Sequence, residues 1–182
     1  MTYELHLAGL TRTLPIIPLN EDLSIASFVL LGDLELAEAG ARELAGLINE
    51  EFDYFLTAEA KGIPLIHAMA KEFGHSRYFV ARKSVKPYMH SPLVTDVYSI
   101  TTQKKQQLVL DGKDAADIAG KRVILIDDVV STGDSLTALT QLAQEAGATV
   151  ITSAALLAEG DASKRDDIVY LERLPLFPGK AS

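Results

Sequence analysis

Residues 121–135 read Lys-Arg-Val-Ile-Leu-Ile-Asp-Asp-Val-Val-Ser-Thr-Gly-Asp-Ser, and no other stretch restricts the possible folds as strongly. Positions 123–126 form an unbroken β-branched and aliphatic run, the pattern of a strand buried on both faces of a parallel sheet. Asp127 and Asp128 then set two carboxylates at that strand's carboxyl end, where open α/β sheets bind their ligands. Ser131, Thr132, Gly133, Asp134 and Ser135 make a turn of small residues, and 136–145 reads as an amphipathic helix. Gly133 allows close backbone approach and unusual dihedrals. The first-turn amides of the helix lack intrahelical partners and sit at the positive end of its dipole, so the turn is a cradle for an anion. One ligand satisfies both halves of the stretch: a phosphate for the turn, with neighbouring sugar hydroxyls donating to Asp127 and Asp128. An ordinary N-capped helix after a strand, with Ser131 or Asp134 as cap, is the plainer alternative.

The remaining chain alternates in the same way. Residues 3–19 carry an alternating pattern that Pro15 and Pro18 should confine to an edge or an extended arm, so 1–31 is expected to be a peripheral hood. Asp33 is placed to cap a helix running to about 49. A strand is expected at 53–57, a helix at 63–73 closed by Gly74, a strand at 77–82, and strand-like patches at 97–100 and 107–110. Beyond the central stretch come a strand at 149–157, a turn at 159–161, a short strand at 168–171 and an irregular tail around Pro175 and Pro178. Strands alternating with helices imply right-handed crossovers and a mainly parallel, twisted sheet with helices on both faces, in one domain spanning 1–182.

Composition narrows the class of partner. The 182 residues contain no cysteine, are 48% hydrophobic and carry a formal net charge of −8, which suits a globular chain without disulfides or thiolate metal sites and argues against a broad nucleic-acid surface. No apolar stretch is long enough to span a bilayer and no leader-like segment opens the sequence, so no membrane partner and a cytoplasmic location are expected. His67, His75 and His90 lack metal-ligand spacing. In an acidic protein, local basic segments point to small anions. Arg82, Lys83 and Lys86 put three cations into five residues on a segment that Pro87 and Pro92 keep from becoming helix. Ala60, Lys61 and Gly62, between a strand and a helix, turn a second set of amides toward the same sheet edge.

The stretch 124–135 closely resembles the 5-phosphoribosyl-1-diphosphate (PRPP) binding motif of the type I phosphoribosyltransferases: hydrophobic strand, acidic pair, two hydrophobics, small-Thr-Gly, then Ser or Thr. Residues 82–87 resemble the Arg-Lys-x-x-Lys-x-Pro signature of the adenine members, with Pro87 one position early. The resemblance implies that Asp127 and Asp128 hold the ribose hydroxyls and stabilise a cationic sugar, and that Ser131, Thr132, Gly133, Asp134 and Ser135 bind the 5′-phosphate. It further implies that Ala60, Lys61, Gly62, Arg82, Lys83 and Lys86 meet the diphosphate, that Mg²⁺ arrives mainly through PRPP with Asp127 or Asp128 as possible ligands, and that 83–107 form a lid in which Lys104 and Lys105 close over the diphosphate. A purine-like nucleobase is the implied acceptor, magnesium the implied cofactor, and a homodimer the implied assembly. Adenine enzymes follow the lid's Tyr-Ser-Leu with Glu-Tyr, whereas Tyr98-Ser99-Ile100 is followed here by Thr101 and Thr102. That departure leaves a different base, or a non-catalytic PRPP-sensing role, open beside the transferase reading. Glu159 and Asp161 fall where the family places a loop near the base. A phosphoacceptor domain of flavodoxin type, with a magnesium-binding acidic pair, is a third alternative.

Overall fold

In the computed structural model, which describes residues 1–98 and 105–179, the chain begins with β1 (Thr2–Leu7), β2 (Leu10–Pro18) and β3 (Leu23–Ala26), then α1 (Leu34–Ala45), β4 (Tyr54–Ala58), α2 (Ile63–Glu72) and β5 (Phe79–Ala81). A hairpin of β6 (Leu93–Tyr98) and β7 (Lys105–Leu110) follows, then α3 (Gly112–Ile118), β8 (Arg122–Val130), α4 (Asp134–Glu145), β9 (Thr149–Glu159), a 3-10 helix (Gly160–Lys164), β10 (Ile168–Leu174) and β11 (Leu176–Pro178).

Five strands form one sheet in the order β10-β9-β8-β4-β5, and every adjacent pair is parallel. Alternation along β8 explains why it sits in the middle. Ile124 and Ile126 join a core with Leu36 and Leu44 of α1 and Leu65 and Met69 of α2. Val123 and Leu125 join a second core with Leu136, Leu139 and Leu142 of α4 and Ile118 of α3. All four β8 side chains are fully buried, as expected of a parallel strand covered on both faces.

The order of strands also locates a crevice. After β4 the chain crosses through α2 to β5 on one side, and after β8 it crosses through α4 to β9 on the other. Strands β4 and β8 are neighbours, so their outgoing loops diverge at a topological switch point, where a gap opens above the sheet's carboxyl edge.

Several elements depart from the sequence expectation. The strand at 123–126 continues to Val130, because Val129 and Val130 still pair with Leu157 and Ala158; the acidic pair lies within the extended strand, not beyond its end. Strand β2 is nine residues long despite its prolines. It pairs with β1 up to Thr2↔Pro15 and with β3 from Ile16↔Ala26, so Pro15, which has no N–H, stands where the strand changes partner, and its carbonyl accepts from Ser27 N at 2.8 Å. The expected irregular tail is strand β11, which pairs with β3 and completes a four-stranded antiparallel sheet of both chain ends. Helix α3 had no counterpart in the sequence reading. Asp33 caps α1 as expected, its carboxylate accepting from Leu36 N at 3.1 Å. The same carboxylate takes Arg12 Nε at 2.6 Å and Nη2 at 3.0 Å, tying the N-terminal sheet to the helix.

Candidate functional site

The two diverging loops enclose a cleft of about 460 Å³ lined by Ala60, Lys61, Lys83, Asp127, Asp128, Thr132, Asp134 and Ser135, together with Glu59, Leu108 and Ala138. One wall is the turn before α4. Gly133 adopts φ +85°, a left-handed conformation that suits glycine alone, and caps the helix without a side-chain bond. Neither Ser131 nor Asp134 therefore serves as a conventional cap, and the first-turn amides face the cleft's end of the helix. The opposite wall is the loop after β4, which includes a cis peptide between Glu59 and Ala60. Gly62 must be glycine: a Cβ there would collide with the Thr57 hydroxyl and stand 3.4 Å from Ile126 O and 3.5 Å from Asp127 Cα. Thr57 Oγ1 in turn donates to Ile126 O at 2.6 Å, fully buried. The two loops are thus fastened together one peptide before the acidic pair.

The floor is Asp127 and Asp128. Asp128 is 2% exposed, and its Oδ2 is buried without a hydrogen-bond partner. Its amide donates to Asp127 Oδ1 at 2.9 Å. Burial, and then the neighbouring Asp128 charge, push the Asp127 carboxyl up to about 7, against the opposing pull of the Asp128 amide and Lys61. Two adjacent carboxyl groups, one raised and one with an orphaned oxygen, form an incomplete acceptor set. Hydroxyl donors or a cation would complete it.

Cations flank the cleft unequally. Lys61 and Lys83 line it. Arg82 does not: its Nε donates to Glu59 Oε2 at 2.7 Å and its Nη1 to Tyr88 Oη at 2.7 Å. Glu59 Oε1 accepts from Lys83 N at 2.6 Å. Burial raises the Glu59 carboxyl, but the Lys83 amide and Arg82 guanidinium outweigh it and leave the group below its ordinary range. Lys86 Nζ is turned onto Ser84 Oγ at 2.7 Å.

A phosphoribosyl transferase domain model matches residues 31–176. The chain belongs to the phosphoribosyl transferase domain family. It is 33% identical over 120 residues to the xanthine phosphoribosyltransferase of Bifidobacterium adolescentis, covering 65% of this chain and 61% of that one. It is 30% identical over 129 residues to the hypoxanthine/guanine phosphoribosyltransferase of Methanotorris igneus, covering 71% and 66%. The chain therefore spans less than two thirds of the length of these relatives. The fold is that of the adenine phosphoribosyltransferase of Thermoanaerobacter pseudethanolicus, with a TM-score of 0.71 at 23% identity over 88% of this chain and 95% of the other.

Within this phosphoribosyl transferase domain the tertiary structure gathers Asp127, Asp128, Thr132, Asp134, Ser135, Ala60, Lys61 and Lys83 around one hollow. Gly62 and Gly133 shape the backbone of its walls. Ser131 is exposed outside the lining, while Arg82 and Lys86 are held by other partners. The lid positions Ser99, Ile100, Thr101, Thr102 and Lys104 lie outside the described residues. Glu59 is the site residue that sequence reasoning passed over. Its only signal was an acid beside a cluster of basic residues 23 positions away, a relationship visible only once β4 and β5 pair. His75 sits in a cluster with Phe52, Phe55 and Phe73, and His67 Nδ1 lies 3.3 Å from Tyr78 Oη. No group of three or more His, Asp or Glu side chains among the described residues could hold a metal alone.

Proposed function

We propose that this chain transfers the 5-phosphoribosyl group of PRPP to a purine base and releases diphosphate. The observation carrying the reading is that one hollow is lined both by an acidic pair, half-buried Asp127 and buried Asp128 with an unpartnered oxygen, and by the first turn of a helix. Such a pairing suits the two ends of a sugar phosphate, hydroxyls at one and phosphate at the other. The amides and hydroxyls of 131–135 hold the 5′-phosphate. Asp127 and Asp128 accept from the ribose hydroxyls. The loop amides of Ala60, Lys61 and Gly62, with Lys83, take the diphosphate, and Arg82 and Lys86 join when they leave Glu59 and Ser84.

A ring nitrogen of the base forms a bond to ribose C1 as the C1–diphosphate bond breaks, and the bonding electrons depart with the diphosphate. Positive charge grows on the sugar above two carboxylates, while negative charge grows where cations and amides converge. Catalysis is then chiefly positioning and charge stabilisation. The orphaned Asp128 oxygen, with the deprotonated Asp127 carboxylate beside it, would hold a hydrated magnesium ion. When bound, magnesium neutralises charge on the diphosphate.

The names of the sequence relatives, which act on xanthine and on hypoxanthine or guanine, together with Thr101 and Thr102 where adenine enzymes carry Glu-Tyr, favour a 6-oxopurine as acceptor. On the family resemblance the protein works in the cytoplasm as a homodimer, with a hood at 1–31 and a lid at 83–107. A turnover assay with PRPP, magnesium and a panel of adenine, guanine, hypoxanthine and xanthine tests this reading. Nucleoside monophosphate and diphosphate should appear with at least one oxopurine. PRPP binding with no diphosphate release for any base would overturn it in favour of a sensor.

A further inference from the structure

The face of α4 turned away from the cleft carries a cation that the motif does not include. Arg165 follows the 3-10 helix and precedes β10. Its Nε and Nη2 donate to Asp167 Oδ1 and Oδ2 at 2.9 and 2.7 Å, and this bidentate pair turns Nη1 onto Gly133. A Cβ on Gly133 would overlap Nη1, so the guanidinium lies directly against the bare Cα of the left-handed residue. Arg165 and Asp167 border a separate groove with Leu136, Thr137, Thr140 and Ser153. The ligand side of α4, with Asp134, Ser135 and Ala138, faces the other way.

A guanidinium at this end of a helix is electrostatically misplaced by itself. The unpaired amides already make the N-terminus positive, and a cation there costs stability unless an anion offsets both. Asp167 supplies one negative charge from behind, and Asp134 stands in the helix's first turn. A phosphate in the turn would add to them from the front, and Arg165 would reinforce the field that draws it in without touching it.

We propose that Arg165 is a positioning residue for the 5′-phosphate: it holds Gly133 in its left-handed conformation by packing on its Cα and adds positive potential behind the turn. This rests on the phosphoribosyltransferase reading of the cleft, because it deepens the role given there to 131–135.

The test measures ribose 5-phosphate binding by calorimetry and, separately, KM for PRPP and kcat, on the full chain. Arg165→Met, which keeps the packing length and loses the charge, should weaken ribose 5-phosphate binding and raise KM for PRPP about five- to tenfold, with kcat within about twofold of wild type. Arg165→Lys should recover part of the affinity. Asp167→Asn, which uncovers the guanidinium, should bind ribose 5-phosphate at least as tightly as wild type. This contrast separates positioning from plain structure: if Asp167→Asn and Arg165→Met lose affinity alike, the pair is only a loop tether and the inference fails. It fails also if Arg165→Met binds as wild type. Wild-type protein that binds ribose 5-phosphate with the expected variant pattern, yet turns over no base, would overturn the transferase reading and leave this inference standing.

Discussion

Glu59 and Arg82, on the loops leaving adjacent strands, are joined by a 2.7 Å ion pair at the wall of the cleft, with the Glu59 side chain 20% exposed. The carboxylate occupies Arg82 and the Lys83 amide together. The basic segment expected to meet diphosphate is therefore already engaged by an anion of the chain's own. On the proposed function, diphosphate binding would be an exchange of one anion for another at Arg82, with an affinity set by the difference between them.

Glu59→Gln keeps an acceptor for the Lys83 amide and removes the charge that holds Arg82. Product inhibition by diphosphate should strengthen about threefold or more, because Arg82 is released and one negative charge leaves the cleft. Thermal stability should fall by no more than about 1 kcal/mol, the range for a partly exposed pair. Unchanged or weaker diphosphate inhibition would contradict the exchange.

The acidic pair makes the ligand-free protein pH-sensitive. A carboxyl raised to about 7 in the fold binds its proton more tightly folded than unfolded. Its favourable contribution is complete below the unfolded value near 4, and it is lost as pH rises through about 7. Asp127→Asn should abolish that slope and stabilise the ligand-free protein at pH 8, while PRPP turnover falls at least about a hundredfold. Denaturation midpoints from pH 4 to 8, with and without the substitution, check the sign; wild type gaining stability over that interval relative to Asp127→Asn would contradict it. Asp128→Asn should likewise cripple PRPP turnover while leaving the fold intact.

Two glycines of left-handed backbone offer a matched comparison. Gly133 at φ +85° is covered by Arg165, whereas a Cβ at Gly74, φ +67°, meets nothing within 4 Å. Both Gly→Ala changes should cost about 1–2 kcal/mol through backbone conformation. Only Gly133→Ala should also raise KM for PRPP, by about tenfold or more, since the added methyl displaces the Arg165 guanidinium from behind the turn proposed to bind the 5′-phosphate. Equal KM values in the two variants would show that the turn does not bind the substrate.

Thr57→Val replaces a buried hydroxyl with a methyl and leaves Ile126 O without its 2.6 Å donor from β4. A loss of about 1–3 kcal/mol is expected for the stranded acceptor. Because Ile126 adjoins Asp127, kcat should drop as well. A denaturant titration beside steady-state kinetics reads both, and a variant as stable as wild type would remove the role given to this bond.

How much was legible beforehand follows from the range of the interactions concerned. The run 123–126, the acidic pair and the small-residue turn carry their meaning within fifteen consecutive residues, through hydrophobic periodicity, a backbone that only glycine adopts and the orphan amides of a helix start. Asp33 as cap and α2 behind Gly62 were readable for the same reason. Strand β11 was not, because Phe177 becomes strand only by pairing with Ser24 of β3. The continuation of β8 to Val130 depends on partners in β9. Basic residues were readable as cations, but not whether each was free: Arg82 is held by Glu59 across a strand pairing, and Arg165 reaches Gly133 from 32 positions away.

The linear order of residues thus determined the chemistry on offer, a parallel α/β sheet with an acidic pair before a glycine-containing turn of small residues, because each of those signals is local. Tertiary structure alone decided which groups share the cleft, which cations are already neutralised and which side chain backs the turn. Those outcomes depend on distances between segments that meet only when β4 and β8 lie side by side and their helices depart to opposite faces.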